Sequence, residues 1–191
     1  MKKKSRKRLE NLYTYNARKD EYEISLSIRN YEEIYNPYDF SQYKRRDMDE
    51  DFLDYIYNSS LDIPLNHKIK LNFHLKEEVY EEEKSKNLKN AIKNNFTWRR
   101  SIVTNKLIQK LKECVLLLFA GILFLVLAFV ILPLIQNAGT GLDLLVESLS
   151  IIGWVFLWDL VEIMAFVVTK LYRNKKYLTR LINSRVEFEQ Y

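Results

Sequence analysis

Between Trp154 and Glu162 the chain reads Trp-x-x-x-Trp-Asp-x-x-Glu, and here residue type and spacing together point to chemistry. On a helix Trp154, Trp158 and Glu162 fall in one i,i+4 row, and Asp159 and Glu162 are i,i+3 neighbours. Carboxylates inside an apolar stretch are the groups that handle ions or protons, or that hold a neighbouring helix, because little water is present to solvate them. Their partners must come from an indole N–H, Ser148, Ser150, another subunit or water, since the preceding apolar segment carries no cation. Carboxyls merely tolerated, either protonated or reaching the aqueous side of a shallow helix, satisfy the same pattern.

Elsewhere the spacing argues against catalysis. His67 and His74 have no third residue at ligand spacing, and Asp47, Asp49, Glu50, Asp51 and Asp54 lack the glycine turn of a calcium loop. There is no phosphate-binding glycine loop, nucleophile elbow or HExxH pattern, and only four glycines occur in 191 residues. The single cysteine, Cys114, permits no internal disulfide and no cysteine zinc site, and reads as a buried thiol ahead of an acylation site. No enzyme activity, cofactor or metal is expected.

The elements that must position the row are apolar. Cys114 to Leu142 holds no charged residue, while Met1 to Glu113 holds 24 of the 30 basic and 19 of the 25 acidic residues. Val115 to Ile135 makes about 32 Å of helix, enough to cross a hydrocarbon core. The next apolar stretch, Leu144 to Leu171, is costlier because of Asp159 and Glu162, about 2.5–3.5 kcal/mol for an Asp at the centre. It reads as the return leg of a hairpin after the turn-like QNAGTGLDL. Arg99, Arg100, Lys106, Lys110 and Lys112 precede the first span; Lys170, Arg173, Lys175, Lys176 and Arg180 follow the second. The loop between has none, so the positive-inside rule places both termini in the cytoplasm. Measured between Glu147 and Lys170, Asp159 falls near the bilayer centre. These juxtamembrane cations explain the pI of 9.1 without a nucleic-acid partner.

Two stretches alternate with period two: Tyr22, Ile24, Leu26, Ile28, and Ile69, Leu71, Phe73, Leu75. Both predict half-buried strands. Asp47, three residues before Glu50, reads as the start of a short helix carrying Met48, Phe52, Leu53 and Ile56 and ending near Asn58 to Ser60. Val186 and Phe188 predict a last strand that can rejoin the same sheet. From Lys76 to Glu113 the chain reads as a long helix with an apolar face of Leu88, Ile92 and Phe96 and i,i+4 pairs such as Glu82–Lys86. The segment Trp98 to Leu111 fits either an interfacial helix or one packed on the sheet.

The expected architecture is an α+β membrane protein: a small cytoplasmic two- or three-stranded sheet with helices, plus a two-helix transmembrane hairpin. Its divisions are a basic tail (1–20), a strand–helix–strand platform (21–75), an amphipathic helix (76–113), span one (114–136), an outer loop (137–147), span two (148–170) and a basic tail with helix and strand (171–191). The six cations of residues 1–8 read as a disordered tail or a contact with anionic headgroups. Partners expected are the lipid bilayer, a second copy of the chain, or a cytoplasmic or membrane protein. The functional expectation is a membrane-anchored interaction or scaffold protein. The alternative is a subunit of an oligomeric channel or transporter using the membrane carboxylates, since two helices cannot enclose a pore alone.

Asn36-Pro37-Tyr38-Asp39-Phe40, Arg46-Asp47-Met48-Asp49 and Tyr55-Ile56, followed by Gly153, Trp154, Val155, Trp158 and Glu162, resemble an uncharacterised family of small prokaryotic two-span membrane proteins. That family carries an NxxDPSPFxxRDLDxxxxxYI-like stretch and a GWVxxWxPxE-like second span. Leu160 stands where the family has proline, so the kink that proline would make is not implied here. The resemblance implies the two-span architecture and no activity.

Overall fold

The structure is a computed structural model that describes residues 9, 11–39, 47–131 and 141–191. The basic run 1–8, the 40–46 part of the family-like stretch, and Pro133 with the turn around Thr140 lie outside the described residues. The chain divides into two compact units, Met1–Ser101 with Lys175–Tyr191, and Ile102–Asn174.

The first unit is built on a mixed four-stranded sheet in the order β1-β2-β3-β4: β1 Thr14–Asn16, β2 Glu21–Ser27, β3 Lys68–Leu75 and β4 Arg185–Gln190. β1 pairs antiparallel with β2, while β2–β3 and β3–β4 are parallel. The sequence predicts two or three strands; the extra one is β1. It lies in the stretch whose charge reads as tail, and three residues are too few to display an alternation. A turn at residues 17–20 joins it to β2, with Asn16 Oδ1 accepting from the backbone N–H of Arg18 and Lys19 and Asp20 at φ 50°.

Register aligns Tyr22, Ile24 and Leu26 with Ile69, Leu71 and Phe73, and Leu71 and Phe73 with Val186 and Phe188. Period two therefore puts every large apolar group on one face, and Phe73 stacks on Phe188 at 5.3 Å between ring centroids. Helix α1 (Glu50–Asp62) contributes Leu53 and Ile56 to this core, the first turns of α2 (Glu82–Val126) contribute Leu88, Ile92 and Phe96, and the end of α4 (Thr169–Ile182) contributes Leu178 and Leu181.

Two details of α1 differ from the sequence reading. Its N-cap is Asp49, whose Oδ1 accepts from Phe52 N at 2.9 Å, and not Asp47. Its C-terminus runs past Ser60 to Asp62. The carbonyls of Ser60 and Ile63 accept from the Arg180 guanidinium, which also reaches those of Pro64 and His67. A cation there satisfies free helix-end acceptors and opposes the negative end of the dipole. Burial holds the Arg180 pKa below its ordinary value. The expected Glu82–Lys86 pair is not made; Lys84 bonds Glu81 at 2.6 Å instead.

In the second unit α2 continues without a break to Val126, so the amphipathic helix and the start of the first apolar segment are one helix of 45 residues. A π-helical turn, Leu127–Ile131, follows it. Helix α3 (Gly141–Glu162) covers residues that composition reads as loop up to 147, and is followed by a second π-helical stretch, Ile163–Val168, leading into α4. Thr169 Oγ1 donates to Met164 O, taking up a carbonyl loosened by the wider turn. The two stretches 82–130 and 143–182 are long and apolar enough to cross a membrane, which points weakly to membrane association.

Candidate functional site

Helix α3 meets α2 through two glycines. A Cβ at Gly121 would lie 3.1 Å from Gly153 O and 2.8 Å from Leu157 Cδ2; one at Gly153 would lie 3.1 Å from Gly121 O and 2.8 Å from Leu125. Only hydrogen at both positions lets the backbones come this close. Phe124 stacks on Phe156 beside the glycines, with centroids 5.6 Å apart. In the second unit the buried positions along α2 and the π-helical turn after it recur every seventh residue, Leu107, Cys114, Gly121 and Ala128, a spacing suited to one continuous helix–helix seam.

This seam fixes where the sequence-predicted site points. Trp154, Trp158, Asp159 and Glu162 all lie off the seam, with the two indoles 62% and 73% exposed. Trp154, Trp158 and Glu162 share one outward stripe, and neither Asp159 nor Glu162 has a partner among the described residues. Ser148 and Ser150, the candidate donors, spend their hydroxyls on the carbonyls of Leu144 and Glu147. Cys114 is buried in the seam.

The seam also fixes height. The helices run antiparallel through Gly121 and Gly153, so residues equally far before Gly121 and after Gly153 stand level. Asp159 is then level with Val115, one residue past the start of α2's charge-free run, and Glu162 with Lys112. Measured along this run, and not between Glu147 and Lys170, Asp159 stands near its start and away from its middle. In the other direction Glu147 stands level with Leu127, well inside that run, and it is exposed. Glu147, which the sequence reading takes as a span boundary, is thus a further exposed acid on this hairpin. Glu147 and Asp159 are each six residues, about 9 Å, from Gly153. Any placement that lifts one out of an apolar layer about 30 Å thick drives the other toward its middle.

In the first unit, two polar groupings invisible to linear spacing come together. Asp20 Oδ1 accepts from Tyr15 Oη at 2.9 Å and lies 2.6 Å from His67 Nδ1. The His67 contact first, then Tyr15, hold the Asp20 carboxyl below its usual pKa. On the sheet's polar face Glu23, His74 and Glu189 converge with their ligand atoms within 4.8 Å of one another. Their centre is already used: buried Asn72 donates to Glu23 at 2.7 Å and to Glu189 at 2.8 Å, and Lys70 bridges Glu23 and Glu187 at 2.9 Å each. Burial opposes ionisation of Glu23, yet Lys70 and Asn72 outweigh it and lower its pKa; burial likewise opposes the Lys70 charge, and its two carboxylates outweigh that and raise it. This face is a cross-strand network. Of the acids around the start of α1, Asp49 serves as its cap and Asp54 pairs with Arg99 at 2.8 Å.

No family, no curated protein and no solved structure matches this chain.

Proposed function

We propose that the chain is a membrane-anchored interaction protein: the α2–α3 hairpin crosses the bilayer, and the α+β unit works on the cytoplasmic side, where both termini lie. One observation carries this reading. In Ile102–Asn174 the large side chains Leu116, Phe119, Leu123, Phe129, Trp154 and Phe166 are exposed, while three of the four buried positions of α2 and the turn after it are the small residues Cys114, Gly121 and Ala128. Water would penalise that arrangement by about 25 cal/mol per Å² of apolar surface, whereas hydrocarbon favours it. The cation-free turn and the cations at both outer ends supply the orientation. The α+β unit, anchored in this way, serves as the docking module for a cytoplasmic or membrane protein.

Reporter fusions test the topology: fusions at both ends are expected to be active only as cytoplasmic reporters, and one inserted near Thr140 only when exported. A cytoplasmic signal from the Thr140 insertion would overturn the crossing of α3. Affinity capture in mild detergent tests the docking role, which fails if removal of residues 20–75 leaves every captured protein in place.

A further inference from the structure

Glu162 and Lys112 have the opposite charges needed to pair, and the hairpin prevents them from pairing within one chain. Each lies nine residues from its contact glycine, Lys112 before Gly121 and Glu162 after Gly153, so their Cα atoms stand level. Nine residues is two and a half turns, so each side chain points directly away from the seam, on opposite outer edges. Among the described residues neither has a partner, while the neighbouring Lys110 bonds Glu113 at 2.6 Å.

Beside Lys112, Ile108, Leu111 and Val115 line an open apolar groove of about 300 Å³. Counted at about 100° per residue from the two glycines, this groove and the stripe Trp154, Trp158 and Val161 fall on the same broad side of the hairpin. Val161 and Glu162 stand level with positions 113 and 112, within the height of the groove, and Trp158 stands one residue above Val115.

We propose that the hairpin pairs through this side with a second copy of the chain, Lys112 of each copy bonding Glu162 of the other. The inference rests on the membrane reading of the hairpin. Two copies inserted in the same direction and related by a two-fold axis along the bilayer normal keep every residue at its own depth. The α2 groove of one copy then meets Val161 of the other within its height and Trp158 just above it, and closed two-fold symmetry makes the contact twice. The occupant is a second copy because it carries the opposite charge at the same depth as each unpaired one, with an apolar stripe beside a groove. A lipid tail offers neither charge. The pairing also removes two unpartnered ions from a low-dielectric edge, where they are costly to leave alone.

The test uses the full chain reconstituted in phosphatidylcholine vesicles, whose headgroups carry no net charge, with copies counted by single-molecule photobleaching across a range of protein densities. The wild-type chain is expected to form two-copy assemblies. Glu162→Lys and Lys112→Glu should each weaken them by about tenfold, and the double reversal should restore them. Mixing chains carrying Lys112→Cys with chains carrying Glu162→Cys, both in a Cys114→Ala background, should give an oxidative cross-link that neither gives alone. Wild-type chains that remain single at every density, single reversals that assemble like wild type, or a double reversal as weak as its parents would overturn the pairing. Alkaline washing separates this failure from failure of the membrane reading: a chain stripped from the vesicles was never inserted, whereas a retained but single chain sinks the pairing alone.

Discussion

The two units of this chain are built inside out relative to one another. In the sheet unit Leu71, Phe73, Ile24 and Phe96 are at most 1% exposed, and the charges of β2, β3 and β4 lie on the opposite face. In the hairpin most of the buried positions are small, Cys114, Gly121, Ala128 and Gly153 beside Leu107, and many leucines and aromatics, among them Leu116, Phe119, Leu123, Trp154 and Trp158, are exposed. The same elementary rule yields both patterns if the surroundings differ. In water, apolar area is removed from solvent by packing it inward. In hydrocarbon there is no such gain, and helices associate through close backbone approach, which glycine allows and a Cβ blocks.

The sharpest way to break the comparison is to make one truncation in each unit. Leu71→Ala is expected to destabilise the sheet unit by about 2–5 kcal/mol, as fully buried leucines do. Leu123→Ala, at a position 57% exposed, should change stability by less than about 0.5 kcal/mol. Thermal unfolding of the full chain in detergent, followed by circular dichroism, checks both; equal losses would erase the distinction.

The reverse substitution sharpens it from the other side. Gly121→Val puts a branched side chain where a Cβ alone already meets Leu157 at 2.8 Å and the Gly153 carbonyl at 3.1 Å. A cost of about 1–3 kcal/mol to the hairpin is expected, with the sheet unit's transition unmoved. Tryptophan fluorescence is the readout for the hairpin, because two of the three tryptophans, Trp154 and Trp158, lie on α3.

The smallest effect is with pH, in the sheet unit. Glu23, Glu187 and Asp20 have lowered pKa values when folded, so their contribution is present above the unfolded carboxylate range near pH 4 and is lost as pH falls through the folded values. Lys70 is raised, so its contribution is complete below about pH 10 and is lost as pH rises through its folded value. The melting temperature of the sheet unit should therefore be flat across neutral pH and fall modestly at both extremes, the more so because solvent screens these partly exposed pairs. Replacing Glu23 with Gln should flatten the acid limb; an unchanged acid limb would show that the network contributes nothing.

Sequence alone determined the parts governed by local periodicity and composition. Period-two runs specified β2, β3 and β4, the four-residue repeat Leu88–Ile92–Phe96 specified the buried face of α2, and the charge-free run beginning at Cys114 specified the first apolar helix. It also singled out the row Trp154, Trp158 and Glu162, because i,i+4 spacing is set within one helix. What only the tertiary structure decided depends on residues far apart in the chain. β4 joins β3 across more than a hundred intervening residues, and Arg180 closes the end of α1 from a helix equally distant. The heights of Glu147, Asp159 and Glu162 follow from the meeting of Gly121 with Gly153. Periodicity says which side of a helix a residue occupies, but the neighbour it meets, and at what level, is set by the register of packing between elements, and no local pattern encodes that.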